Sequence, residues 1–128
     1  MNESTNTTFI NRKIKAKGYY ALKIQTIMNN GVPDCWYSGP TDDLWVEFKY
    51  KNKLPTKRNT PIYIGLTELQ EKCLKDRFNE GRNISLIIGS PEGYIIITNP
   101  ERFKKPVYKS DLTLTRDEVI QWIILTID

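Results

Sequence analysis

Residues 31–50 read GVPDCWYSGPTDDLWVEFKY, and the fold turns on this stretch. Two apolar runs, Val32–Tyr37 and Leu44–Tyr50, flank the turn formers Ser38–Asp43, which is the pattern of a hairpin. Along the second run side chains alternate. Leu44, Val46, Phe48 and Tyr50 share one face, while Trp45, Glu47 and Lys49 share the other. Closing the hairpin pairs residue 37 with 44 and residue 34 with 47. Asp34 is then expected opposite Glu47, with Cβ atoms about 5 Å apart. Lys49 projects beside them, about 7 Å along the strand from Glu47. Two like charges so placed repel unless something neutralises them, and a divalent cation held by hard oxygens does so.

Outward from the hairpin, the chain supplies elements on both sides. Thr7 or Thr8 caps an expected short helix through Lys17, with Phe9, Ile10 and Ile14 apolar and Gly18 as the stop. Residues 1–7 read as a flexible arm. Residues 19–27 alternate as a strand and lead to a turn at Asn29-Asn30-Gly31. Residues 51–66 form a basic, proline-containing connection. Thr67-Glu68-Leu69-Gln70 has the pattern of a capping box, and Gly81 closes the helix it opens. Ile84–Ile88 and Tyr94–Thr98 read as a hairpin of two strands apolar enough to be central. Thr115–Glu118 is a second capping box, opening a helix through Leu125. The order is α-β-β-β-α-β-β-α: an α/β (α+β) fold, with helices packed on a mixed sheet.

The chain has 128 residues and a mass of 15.0 kDa, the size of one domain spanning 1–128. No apolar run approaches the roughly 20 residues of a membrane span, and no signal-peptide core opens it, so no membrane partner and a cytoplasmic location are expected. Two cysteines, Cys35 and Cys73, are too few for a disulfide framework. There is no histidine. That removes Ser-His-Asp and Cys-His catalysis and His-based zinc sites, leaving hydrolysis to carboxylates, lysine, tyrosine or a hard metal. Net charge is +4, carried unevenly: residues 1–66 hold +5 and residues 67–128 hold −1. Lys13, Lys15 and Lys17 form one basic cluster with Arg12. Lys51, Lys53, Lys57 and Arg58 form another with Lys49, and no acid lies between residues 48 and 66. Such a field attracts polyanions, nucleic acid first among them.

Pro33-Asp34 followed by Glu47-Phe48-Lys49 resembles the signature of the PD-(D/E)XK nucleases. The wider frame resembles their virus-type replication-repair (VRR-NUC) branch, in Gly31-Val32-Pro33-Asp34, Glu47-Phe48-Lys49, Leu66-Thr67-Glu68-Leu69-Gln70, Gly81 and the strand Ile84–Ile88, about residues 8–98. The resemblance implies a restriction-endonuclease-like α-β-β-β-α-β core, here with an added strand and a C-terminal helix. It implies Asp34, Glu47 and the Phe48 backbone carbonyl as metal ligands, Lys49 as the catalytic lysine and Gln70 as a supporting active-site residue. The metal is Mg²⁺, with Mn²⁺ able to substitute, and it activates the attacking water. The implied protein is a phage-type, stand-alone, structure-specific DNA endonuclease: a Holliday-junction resolvase that binds branched DNA as a homodimer. The family often adds an acid on the first helix. The only acid before Asp34 here is Glu3, in the segment read as an arm.

Other readings stand beside these. The same scaffold serves a nuclease of flaps, nicks or single strands, or a nucleic-acid-binding module without turnover. Gln70 occupies the position that caps Thr67, so its amide serves the cap, the site or both. The two basic clusters either guide a DNA backbone or are solvated surface. Tyr19, Tyr20 and Trp36 either stack on unpaired bases or belong to the core. Trp122, Ile123, Ile124 and Leu125 make the last helix apolar nearly all round, for the core or for a dimer contact.

Overall fold

The computed structural model describes residues 1–24 and 31–128. Its elements are α1 (Glu3–Ala16), β1 (Tyr20–Lys23), β2 (Cys35–Ser38), β3 (Asp43–Tyr50), α2 (Glu68–Asn79), β4 (Ile84–Ser90), β5 (Gly93–Ile97) and α3 (Arg116–Ile127), with short 3₁₀ turns at Pro100–Arg102 and Lys109–Asp111. The five strands lie in sequence order. Only β3 and β4 are parallel, joined through α2; the other pairs are antiparallel. The expected mixed sheet and helix order are present. Residues 25–27 of the strand expected at 19–27, and Asn29-Asn30 of the turn, fall outside the described residues.

The hairpin has the register its loop requires, with Tyr37 opposite Leu44 and Cys35 opposite Val46. Alternation then sorts the side chains. Ala21, Cys35, Tyr37, Leu44, Val46 and Phe48 are buried under α1 and α3 with Ile10, Ile14, Val119 and Ile123. On the opposite face, Leu86, Ile88 and Ile97 are covered by Ile62, Val107 and Leu112 from the two long connections. β4 is buried along its whole length, as a central strand must be. β5 is not central: it is an edge strand, and Leu114 covers part of its free side by exchanging backbone hydrogen bonds with Tyr94.

The first helix corrects the sequence reading. Residues 3–7 are not an arm but the opening turns of α1. Asn2 caps them, its side-chain oxygen accepting from the Thr5 N–H at 2.8 Å. Three buried side-chain bonds tie α1 to the sheet: Tyr94 OH donates to Asn6 Oδ1 and Tyr37 OH to Asn11 Oδ1, both at 2.6 Å, and Asn11 Nδ2 donates to Cys35 Sγ at 3.6 Å. These polar anchors have no hydrophobic periodicity, so a pattern search starts the helix late. α3 is mostly core: Val119, Ile120, Ile123 and Ile127 are buried, Trp122 and Ile124 pack against them, and Leu125 remains exposed.

Both capping boxes form as spelled, Thr67 with Gln70 and Thr115 with Glu118. The approach of the hairpin to α2 depends on Gly31. Its φ is +78°, and a Cβ there would lie 2.4 Å from the Leu69 carbonyl. Gly81 also has positive φ, +84°, but faces open space. Gly81→Ala is therefore expected to cost only left-handed strain, about 1–2 kcal/mol. Gly31→Ala adds a backbone clash and should cost at least about 2 kcal/mol more. Denaturant melts of the two variants test the difference; equal losses would mean that α2 does not press on the hairpin.

Candidate active site

Past the end of β2, strand β3 presents two backbone N–H groups at the edge that β2 has left. Carboxylates take both. Asp34 Oδ2 accepts from the Phe48 N–H at 2.9 Å, and Glu3 Oε2 accepts from the Tyr50 N–H at 3.3 Å. Asp34 is thus fixed where extending the β2–β3 register puts it, across from Glu47. A strand residue's N–H and C=O project to the same edge, so the Phe48 carbonyl faces the side from which Asp34 approaches.

Glu47 is 1% exposed, an unusual place for a carboxyl group. Gln70 Nε2 donates to its Oε2 at 3.2 Å, and Lys49 Nζ stands 3.5 Å from the same oxygen. Its Oε1 is buried and has no hydrogen-bond partner among the described residues. Asp34 faces it: when both are ionised the two carboxylates are acceptors and neither can satisfy the other, whereas a protonated Glu47 can donate to Asp34. Burial first, then the Asp34 charge, pushes the Glu47 pKa up to about 8, against the opposing pull of Lys49. Desolvation outweighs the ion pair here, as it does for many buried salt bridges.

Gln70 serves both roles that its position allows. Its Oε1 accepts from the Thr67 N–H at 3.0 Å, completing the cap, and from Lys49 Nζ at 3.1 Å. Its Nε2 reaches Glu47. The first turn of α2 therefore orients both the acid and the lysine.

Glu3, read as part of an arm, is brought to the edge of this cluster by α1. Partial desolvation and then Asp34 hold its pKa above the ordinary carboxylate value, with the Tyr50 hydrogen bond, Lys49 and Lys51 pulling the other way. The missed signal was Asn2, a helix-capping residue directly before an acid in the first turn.

The donor set of the central pair suits a hard cation. Two carboxylates face each other, one oxygen is orphaned, and a backbone carbonyl lies at the same edge. Among the described residues no three His, Cys, Asp or Glu side chains converge as a ready-made cage.

The basic residues divide. Lys51 adjoins the site: desolvation and then Lys49 lower its pKa, and its Nζ lies 5.4 Å from the Tyr63 ring centroid. Lys53, Lys57 and Arg58 are exposed on the connection that follows, where Lys109 Nζ donates to the Thr56 carbonyl. Lys13, Lys15 and Lys17 are exposed at the far end of α1, about 20 Å along the helix from Glu3, so the structure does not bring them to the carboxylates. Tyr19 packs against the core, Tyr20 is exposed and Trp36 is half-buried.

No family model and no curated protein matches the sequence. A solved structure does match in three dimensions: Hjc, a Holliday junction resolvase from the archaeal hyperthermophile Archaeoglobus fulgidus. The TM-score is 0.59 over 91% of this chain and 97% of that one, at 16% identity. The chain has the restriction-endonuclease-like fold. At that identity the likeness fixes architecture, and chemistry rests on the residues just described. No helix among the described residues is long and apolar enough to cross a membrane.

A raised acid pKa makes stability depend on pH. The folded state holds the Glu47 proton more tightly than the unfolded chain, where the ordinary value is 4.5. Its contribution is thus fully present below about 4.5 and is lost as pH rises through about 8. In EDTA, Glu47→Gln should leave Tm nearly unchanged at pH 4.5 and raise it relative to wild type at pH 9. A Tm difference constant across that range would mean that Glu47 titrates normally.

Proposed function

We propose that the protein is a Mg²⁺-dependent, structure-specific DNA endonuclease of the VRR-NUC branch, phage-type, and that it resolves Holliday junctions as a homodimer in the cytoplasm, that of a host cell if the source is a virus. The observation that carries this reading is the buried Glu47 carboxylate, unsatisfied on Oε1, set against Asp34 and flanked by Lys49 and Gln70. The fold shared with a Holliday junction resolvase adds support. Manganese is expected to substitute for magnesium.

Asp34, Glu47 and the Phe48 carbonyl would hold the ion. When bound, it supplies a Lewis acid that lowers the pKa of a coordinated water and screens the phosphate charge. In hydrolysis, water adds to phosphorus while the bond to the 3′ oxygen breaks, leaving 5′-phosphate and 3′-hydroxyl ends. Lys49, tethered to Gln70 and Glu47, either orients the attacking water or stabilises the charge that builds on the phosphate. Gln70 keeps the lysine and the acid in register. Lys51 and its exposed basic neighbours contact the DNA backbone, which makes affinity fall with salt. Symmetric cutting of a four-way junction needs two such centres, hence the dimer.

A labelled four-way junction, a flap, a nicked duplex and a single strand form the test panel. In Mg²⁺ the junction should be cut fastest, and EDTA should abolish cutting. Asp34→Ala, Glu47→Ala and Lys49→Ala should each lose at least about a hundredfold in rate, and Gln70→Ala should lose less. Cleavage that survives EDTA, or that survives Asp34→Ala, contradicts the mechanism. Tight binding without cutting in Mg²⁺ or Mn²⁺ would instead mark a binding module.

A further inference from the structure

We infer that the pocket between β3 and α2, next to the carboxylate pair, receives a nucleobase unstacked from the DNA beside the phosphate to be cut. This rests on the nuclease reading and adds to it what the enzyme senses at a branch.

The pocket has a volume of about 460 Å³, within the range of small-ligand sites. Its walls are continuous with the catalytic cluster. Pro33 directly precedes Asp34, Trp45 shares a sheet face with Glu47 and Lys49, and Cys73 lies one turn beyond Gln70 on α2. Trp45 is about 7 Å along the strand from Glu47, about two base steps at roughly 3.4 Å of axial rise each.

Trp45 carries the second observation. Its Nε1 is buried and has no hydrogen-bond partner among the described residues. By contrast, the neighbouring Trp36 Nε1 donates to Asp43 Oδ2 at 2.8 Å. A buried indole N–H is nearly always paired, and an acceptor from outside the chain would meet this one once the Trp45 ring turns toward the pocket that it lines. Every nucleobase offers carbonyl or ring-nitrogen acceptors at the edge of a flat apolar ring.

The rim adds matching charge. Arg77 Nε and Nη2 grip both oxygens of Glu80 at 2.9 and 2.8 Å, and Arg82 Nε reaches the same carboxylate at 3.0 Å. Two guanidinium groups against one acid leave a net positive edge with fixed planes, suited to a phosphate or to stacking. An aromatic row leads to the pocket across the strands. Tyr20 and Trp36 meet edge-on at 5.4 Å, and Trp36 and Trp45 lie 6.2 Å apart. Tyr20 is 55% exposed, so the row is open to solvent at its outer end. Such rings take stacked bases with little regard to sequence. A base within intact duplex cannot reach the pocket, whereas one at a branch or flap can. The cut would then be placed by local unstacking rather than by base identity.

The three tryptophan indole N–H signals in a ¹H–¹⁵N spectrum report this directly, with Trp45 assigned through Trp45→Phe. The probe is a six-nucleotide single-stranded oligothymidylate in EDTA, so that no cutting occurs. The Trp45 indole signal should shift and saturate, and the Trp122 signal should stay. Trp45→Phe keeps a ring but deletes the donor, and should weaken binding about tenfold. Arg82→Gln, at an exposed rim position, should also weaken it. A bound oligonucleotide that leaves the Trp45 signal in place, or wild-type affinity in Trp45→Phe, overturns the proposal. Cleavage of the junction by wild type, measured in parallel with Mg²⁺, separates the two readings. Cutting without an indole shift rejects the pocket alone, and an indole shift without cutting rejects the nuclease alone.

Discussion

Two carboxyl groups, Asp34 and Glu47, are held face to face at the point where a short hairpin splays open, and one of them is buried. Neither burial nor like charge favours this arrangement, so the surrounding structure has to impose it. It does so with backbone. Asp34 is pinned by the Phe48 N–H, which β2 has left unpaired, and Glu47 is pinned because it sits mid-strand opposite Leu86 of a fully buried neighbour. The strain has one chemical outlet, the orphaned Glu47 Oε1, which a proton or a cation can answer.

The rest of the fold converges on the same spot from separate parts of the chain. α1 delivers Glu3 to the Tyr50 N–H because Asn6 and Asn11 lock the helix onto Tyr94 and Tyr37. α2 delivers Gln70 because a glycine at residue 31 lets the hairpin entry touch its first turn. The capping box then has a double use. The same amide oxygen that closes the helix end receives the Lys49 ammonium, so loss of the cap and loss of lysine placement are one event. A stability feature and a site feature share an atom, which is how a small domain holds four polar side chains in order with little core to spare.

Much of this was legible in the residues. The hairpin register followed from loop length and alternation alone, and with it the meeting of Asp34 and Glu47. Both capping boxes announced their helices through Thr and Gln or Glu at fixed spacing. Three features were not legible, each for a physical reason. The start of α1 is polar, anchored by buried asparagines rather than by an apolar stripe, so its first turns looked unstructured. β5 is as apolar as a central strand because the chain folds back over its face and edge, and composition cannot distinguish cover by a loop from cover by a strand. The unpaired Trp45 indole depends on what fails to meet it in space, and no local pattern encodes an absence. Charge runs were the least informative signal: Lys51 adjoins the site, while Lys13, Lys15 and Lys17 are exposed at the far end of α1.

The most direct test of the Asp34–Glu47 pairing as a cation seat is a crystal soaked in Mn²⁺ and measured at the manganese absorption edge. The expected result is an anomalous peak between the two carboxylates, with the Phe48 carbonyl in its coordination sphere. The absence of a peak there, in crystals of protein that cuts DNA in Mn²⁺, would contradict the assignment.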